Sequence, residues 1–320
     1  MAPDPVDVAV VGVGAFGRQH ARVYSAMPEA RLVAVVDPDR DRAGRVAGEF
    51  GCDPVEDIGS LPDSIRAASV AVPTVLHVPV GLALLKRGFD ILVEKPLAAG
   101  AEGALELVQT AERMGRILQV GHLERFNPAV QIAAANATVP LFFEIHRLSP
   151  FSPRSLDIDV VLDLMIHDID IVLNLAHSPV CKVDASGVPV VSTHADIANA
   201  RLQFESGCVA NLTASRVSTE KVRKLRFFQP GEYVSIDYMS QSGVRIAVGS
   251  SSDLRVRPIR PGRDEPLRRQ LEAFVKAVRN CQEPPVTGRE GLAALDLALR
   301  IREAIEKHSR LVSKTLSALS

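Results

Sequence analysis

Cysteine is scarce, and the few present show no pattern. Cys52, Cys181, Cys208 and Cys281 lie far apart, with none of the paired spacings that bind zinc. They read as reduced thiols of a cytoplasmic protein, which excludes a disulfide framework and gives no metal site. An excess of one charge is missing as well: 37 basic and 38 acidic residues leave a net charge of -1. Nothing in that balance draws the chain to nucleic acid or to a membrane surface, so neither is an expected partner. Long apolar runs are also lacking. The most hydrophobic window, Val70 to Leu85, is broken by Pro73, His77 and Pro79, which argues against a membrane span. The first residues carry acids instead of the basic flank and apolar run of a secretory signal. What remains is 47% apolar and 23% charged over 320 residues, an ordinary globular balance and long enough for two cores.

Within that plain composition the first third carries a strong pattern. Val6 to Val11 reads as a buried strand, Gly12-Val13-Gly14-Ala15-Phe16-Gly17 follows at once, and a helix runs from about Ala15 to Met27. A GxGxxG match is weak alone but strong between a strand and a helix. Gly12 permits the tight turn, Gly14 lets backbone approach a pyrophosphate, and Gly17 lets helix and strand pack closely. Ala15 and Phe16 open the helix, whose free N–H groups and positive dipole end suit phosphates. A second strand, Arg31 to Val36, ends in Asp37, 20 residues after Gly17, where a carboxylate accepts from the adenosine ribose hydroxyls. That charge repels a 2′-phosphate, so NAD is favoured over NADP; Arg40 and Arg42, close behind, soften the preference.

The alternation continues with a helix near Arg40 to Phe50, a strand at 69–72, a helix from about Leu76 to Arg87 and a strand at 91–93. A helix from Ala101 to Met114 and a strand at 117–120 complete it. Short loops between alternating elements give a doubly wound parallel sheet. Ile91-Leu92-Val93 runs straight into Glu94-Lys95-Pro96, and Pro96 ends the strand because it lacks a backbone donor. Lys95 is thus delivered at the carboxyl edge of the sheet, where ligands bind in such folds. Pro73-Thr74 closes its strand on the same edge and should flank the cofactor. His77, early in the next helix, reads as a structural or cofactor-neighbouring residue.

The second half reads differently. A helix from about Pro128 to Asn136 and a strand from Leu141 to Leu148 precede a loop at 149–159. Apolar residues then recur at helical spacing from Val160 to Ala176. Asp163 and His167, four apart, share a face of that helix. The imidazole of His167 suits proton acceptance near neutral pH, with Asp163 orienting the substrate or the ring. Asp168 and Asp170 beside them also fit a solvated acidic face. Seven segments of period two follow: 180–188, 197–204, 208–215, 225–229, 233–238, 244–248 and 254–259. They predict a large, mainly antiparallel sheet whose second face needs cover, so a homodimer or homotetramer through it is expected. Two helices, 265–280 and 289–307, close the chain. Ser215 to Lys224 holds four cations, Arg216, Lys221, Arg223 and Lys224. Such a run is a solvated loop or a grip on the diphosphate of a nucleotide sugar, with Arg154 a further candidate.

Together, Gly12-x-Gly14-x-x-Gly17, Asp37, Pro73-Thr74-x-x-His77, Glu94-Lys95-Pro96 and Asp163-x-x-x-His167 resemble the glucose-fructose oxidoreductase, inositol dehydrogenase and MocA family, in the family's order and over nearly the whole chain. The resemblance implies an α/β protein with a Rossmann domain at 1–121 and an α+β substrate and oligomerisation domain at 122–320. It implies hydride transfer between NAD and a sugar or cyclitol carbon, with Lys95, Asp163 and His167 bordering the reacting carbinol and Glu94 beside the cofactor. It also turns Arg125, Phe126 and Asn127 toward the site, although these three serve equally as an interdomain brace. The wording around Asp163, His167 and the basic loop implies oxidation of the 3-hydroxyl of a UDP-linked N-acetylhexosamine. A free sugar or inositol is the alternative substrate, and a nicotinamide sensor without turnover is the alternative class.

Overall fold

A computed structural model describes residues 4–152, 158–249 and 253–319. The chain forms two compact units, Met1–Leu123 with Glu265–Ala293 and Glu124–Asp264 with Ala294–Ser320. Arg154 lies outside the described residues.

The first unit holds six parallel strands: β1 (Val6–Val11), β2 (Ala30–Val36), β3 (Asp53–Val55), β4 (Ala67–Val70), β5 (Asp90–Glu94) and β6 (Leu118–Gly121). Their order is β3-β2-β1-β4-β5-β6. The helices α1 (Ala15–Ser25), α2 (Arg40–Phe50), α3 (His77–Lys86) and α4 (Ala101–Arg113) make the crossovers. β1 and β5 are buried at every position, as strands covered on both faces must be. β3 was not foreseen, because Asp53-Pro54-Val55 is too short and too exposed to carry a periodic signal. β4 begins and ends two residues before the predicted 69–72, so Ala71 and Val72 already belong to the turn.

The second unit opens with α5 (Pro128–Asn136) and β7 (Phe142–Leu148). A π-helical turn (Val161–Met165) then leads into α6 (Ile166–Ala176). Seven strands follow: β8 (Val180–Val188), β9 (Ile197–Phe204), β10 (Val209–Ser215), β11 (Val222–Gln229), β12 (Glu232–Asp237), β13 (Ser242–Val248) and β14 (Leu254–Ile259). With β7 they form a sheet in the order β14-β13-β12-β11-β7-β10-β9-β8, antiparallel except for the β7–β10 pair. The fold is therefore the α/β combination of a Rossmann sheet and a larger, mainly antiparallel one. β11 starts three residues before the expected 225, so Val222, Arg223 and Lys224 are strand residues.

The units are not continuous in sequence, as a division into 1–121 and 122–320 supposes. Helix α7 (Pro266–Asn280) belongs to the first unit, since Leu267, Leu271, Phe274, Val275 and Val278 bury against Val8, Val10, Tyr24 and Val35. Recurring at i, i+4, i+7, i+8 and i+11, they form the apolar stripe of an amphipathic helix, which must find a core. Helix α8 (Gly288–Leu319) ends the chain. Among the described residues no helix is long and apolar enough to cross a membrane.

Candidate functional site

In the first unit the glycine turn is built by close approach. Gly12 has φ +84°, and its N–H donates to the Val36 carbonyl at 2.7 Å. A Cβ on Gly17 would stand 1.8 Å from the Gly12 carbonyl oxygen, so only glycine fits there. A Cβ on Gly14 would meet nothing described within 4 Å. No side chain caps α1, and its first turn holds no acid. Open space at Gly14 beside uncapped N–H groups fits a pyrophosphate. Ala15 and Phe16 begin that helix, and the half-exposed Phe16 ring meets His20 edge-on at 5.1 Å.

Asp37 is 3% exposed, and its carboxylate accepts from the Val13 N–H at 2.9 Å and the Asp39 N–H at 3.0 Å. Arg42 Nη1 adds contacts of 3.2 and 3.3 Å, while Arg40 turns away to Glu56. Three donors leave acceptor capacity on a carboxylate with about four lone-pair sites. The residues therefore fit a dinucleotide with free ribose hydroxyls, and Arg42 partly neutralises the charge that would repel a 2′-phosphate.

Lys95 follows β5 directly and is half-buried; its peptide bond to Pro96 is cis. Glu94 points the opposite way into the unit. His20 Nε2 lies 3.2 Å from its carboxylate, off the line of a good hydrogen bond, and Gln270 of α7 donates to it at 3.3 Å. A Cβ on Gly121 would collide with this carboxylate at 2.4 Å. Sequence reasoning found neither His20, Gln270 nor Gly121. His20 left a faint signal, sitting three residues after Gly17 and hence on the same face of α1. Pro73 is exposed and Thr74 half-buried at the β4 edge, whereas His77 is buried and so stands behind this edge without lining it.

In the second unit Asp163 sits in the π-helical turn and His167 at the second position of α6. Between Val160 and Asp170 only Asp163, Leu164 and His167 are half-buried; every other residue is buried. The alternative of a solvated acidic face does not hold, because Asp168 and Asp170 are interior. Arg147, on an inward position of β7 and 1% exposed, donates from Nε and Nη2 to Asp168 at 2.7 and 2.9 Å. Its Nη1 reaches Glu124 at 3.1 Å, and its guanidinium lies 5.2 Å from the Tyr238 ring centre. Burial disfavours the Arg147 charge, but Asp168 and Glu124 outweigh it and hold the pKa above the ordinary value. Asp159 begins the helix, its carboxylate accepting from the Val161 and Leu162 N–H groups at 2.9 and 3.1 Å.

The remaining expected residues separate. Phe126 is core, and Asn127 is an interior helix cap that accepts from the Ala129 N–H and donates to the Tyr238 carbonyl. Arg125 Nη1 lies 3.5 Å from Asp170. Arg216 is buried and donates to Asp196, to the Ile158 carbonyl and to Ser192, which makes it a lock for the 190–196 loop instead of an arm for ligand. Lys221 stays exposed in its turn. Arg223 pairs in register with Arg147, 3.6 Å from Glu124; burial and the Arg147 charge lower its pKa, partly offset by Glu124, Asp168 and Asp163. Its Nε has no acceptor among the described residues. Of the basic run, only Arg223 shares the inward face of its unit with Asp163.

Comparison with known proteins adds to this geometry. Residues 6–122 match the model described as "Oxidoreductase family, NAD-binding Rossmann fold" and residues 141–229 match the GFO/IDH/MocA C-terminal domain. The chain is 35% identical over 304 residues to the UDP-N-acetylglucosamine 3-dehydrogenase of Acidithiobacillus ferrooxidans, covering 93% of this chain and 96% of that protein. A solved structure of that dehydrogenase superposes with a TM-score of 0.90 at 34% identity, over 95% of this chain and 99% of the other. The scyllo-inositol 2-dehydrogenase (NAD(+)) of Bacillus subtilis is 29% identical over 320 residues and 92% of each chain.

Proposed function

Because the chain belongs to the Gfo/Idh/MocA family of oxidoreductases, we propose that it oxidises the 3-hydroxyl of a UDP-linked N-acetylhexosamine with NAD. The observation that carries this reading is the end-to-end likeness to a UDP-N-acetylglucosamine 3-dehydrogenase. Bound NAD supplies the hydride acceptor. Gly12, Gly14, Gly17 and the first N–H groups of α1 hold its pyrophosphate, and Asp37 accepts from its ribose hydroxyls. Pro73 and Thr74 would frame the nicotinamide end, with Glu94 behind them in the interior of the unit. The His167 imidazole takes the hydroxyl proton as the carbinol carbon gives up its hydride, leaving a ketone. Lys95 stabilises the developing alkoxide, and Asp163 orients the substrate hydroxyls. Arg223, with donor capacity left over, contributes to the diphosphate grip. With four free thiols, the protein would work in the cytoplasm.

The test is Lys95→Met. NAD affinity should stay within about threefold, while turnover of UDP-N-acetylglucosamine falls on the order of 100- to 1,000-fold. Unchanged turnover removes Lys95 from the chemistry. A melting-temperature rise with UDP-N-acetylglucosamine and NAD, absent with inositol, supports the nucleotide sugar. One observation favours the free sugar or inositol instead: Arg216 is spent on Asp196, which thins the expected diphosphate grip.

We also propose that a second copy covers the open face of the eight-stranded sheet. Phe142, Phe228, Tyr233, Ile246 and Val256 pair in register across five strands, an apolar row of roughly 19 Å. Val256 is 62% exposed and its neighbour Leu254 70%. The same face carries the Arg226–Glu144 ion pair, so it offers both charges to a copy of itself. Sedimentation of a Phe228→Glu/Val256→Glu variant should show a smaller species than the unaltered chain; an unchanged mass refutes this contact.

A further inference from the structure

In the first unit, two backbone carbonyls face the two nitrogens of one imidazole. His77 is 1% exposed, with Nδ1 2.9 Å from the Pro96 carbonyl oxygen and Nε2 3.0 Å from that of Val72. Pro96 follows Lys95 directly, and Val72 precedes the Pro73-Thr74 turn. A carbonyl only accepts, so both contacts are hydrogen bonds only if both ring nitrogens carry protons. Burial works against that form and lowers the His77 pKa, with the facing carbonyls and the Glu94 charge opposing it. A neutral ring has one N–H and can serve one carbonyl. Which one it serves depends on what the other loses. Pro96 is buried, whereas Val72 is half-buried where water has access. An unserved acceptor costs most where nothing else can reach it, so the Pro96 side should win.

We propose that His77 is a positioning residue whose Nδ1–H donates to the Pro96 carbonyl and thereby sets the turn that presents Lys95. The Val72 carbonyl then faces the bare Nε2 acceptor to acceptor, with no hydrogen bond between them. The kinetic consequence rests on the dehydrogenase reading; the tautomer does not.

Two experiments on the full chain decide it. A 15N spectrum of the imidazole should show Nδ1 protonated and Nε2 bare; the opposite tautomer or an imidazolium overturns the proposal, whether or not any sugar is oxidised. Asparagine puts an amide N–H near the Nδ1 position, and glutamine puts one near Nε2. With UDP-N-acetylglucosamine and NAD, kcat should fall on the order of 10- to 100-fold in His77→Ala and His77→Gln, with His77→Asn recovering most of that loss. KM for NAD should move less than about threefold in all three, since a displaced Lys95 damages the chemical step and spares cofactor binding. Rescue by glutamine instead, or equal losses in all three that track their melting temperatures, refutes the positioning role. Should His77→Ala fail to fold, the asparagine and glutamine pair still discriminates. If the unaltered protein oxidises neither a UDP sugar nor inositol, the dehydrogenase reading fails and the spectrum alone decides.

Discussion

At Gly12, Gly14 and Gly17 the first unit shapes its ligand edge with missing atoms. The carbonyl of Gly12 occupies the space where a Gly17 side chain would be, and the space beyond Gly14 stays open. The second unit works in the opposite manner, with its candidate acid–base helix anchored by full-sized charged groups. Arg147 reaches up from the sheet to Asp168, the residue after His167, and the same guanidinium donates to Glu124 and lies over the Tyr238 ring. Backbone geometry is rigid and tolerates no addition. A buried charge network is held by balance and tolerates no subtraction, because the partner left behind is a desolvated, unpaired ion.

The sharpest way to break this comparison is to subtract from the second unit. Arg147→Met should destabilise by about 3–5 kcal/mol, the usual result of stranding a buried carboxylate. Replacing Asp168 by Leu in the same chain should recover part of the loss, since the stranded charge is then gone. Denaturant unfolding of the unaltered chain and the two variants measures both numbers. No recovery in the double variant would mean that Glu124, not Asp168, carries the cost.

Adding to the first unit comes next. Gly17→Ala should cost about 3 kcal/mol through overpacking against the Gly12 carbonyl. Gly14→Ala should change stability by no more than about 0.5 kcal/mol, because its new methyl meets open space. Its effect should appear in binding, as a loss of NAD affinity of about tenfold. Fluorescence titration with NADH separates the two; unaltered affinity in Gly14→Ala would sink the pyrophosphate assignment.

The same contrast explains what could be read in advance. Gly12, Gly14, Gly17, Asp37 and Lys95 are placed by strand–turn–helix units, and such units are written in consecutive residues. The alternating strands of the second unit were legible for the same reason. Partners far apart in sequence were not. Arg147 looks like any polar residue in Phe142 to Leu148, and only the register with β11 sets it beside Arg223. Asp168 and Asp170 look solvated because the sequence cannot say which strand covers them. The basic run from 215 to 224 reads as either a solvated loop or one grip, but the start of β11 falls within it and alternation sends Arg223 and Lys224 to opposite faces. Helix α7 was recognised but assigned to the wrong unit, since an apolar stripe declares that it needs a core and not which core.

Asp196 tests whether the second unit's reliance on charge extends to its loops. Its carboxylate accepts from the Val190, Val191 and Ser192 N–H groups and from Arg216. Burial disfavours the charge, but these donors outweigh it and hold the carboxyl well below the usual range. On acidification the unfolded chain therefore takes up this proton first. The stabilisation is complete above about pH 4 and is lost as pH falls below it. Asp196→Asn should cost about 1–2 kcal/mol at neutral pH and flatten the acid limb of the stability profile below about pH 4. An acid limb unchanged in shape would assign it to other carboxylates.

The smallest expected effect separates two cations from one run. Lys221 is exposed in a turn, so its charge is screened by water and salt. Lys221→Ala should weaken UDP binding less than about threefold, and the difference should vanish at high ionic strength. Arg223 stands on the inward face near Glu124, whose carboxylate already serves Arg147. A partly desolvated guanidinium that must share its counter-ion gains more from an incoming diphosphate than a hydrated ammonium does. Arg223→Ala should therefore weaken UDP binding about tenfold, with a loss that persists in high salt. If the two variants respond alike to salt, the inward cation holds no ligand, and the nucleotide must be recognised through its uracil and sugar.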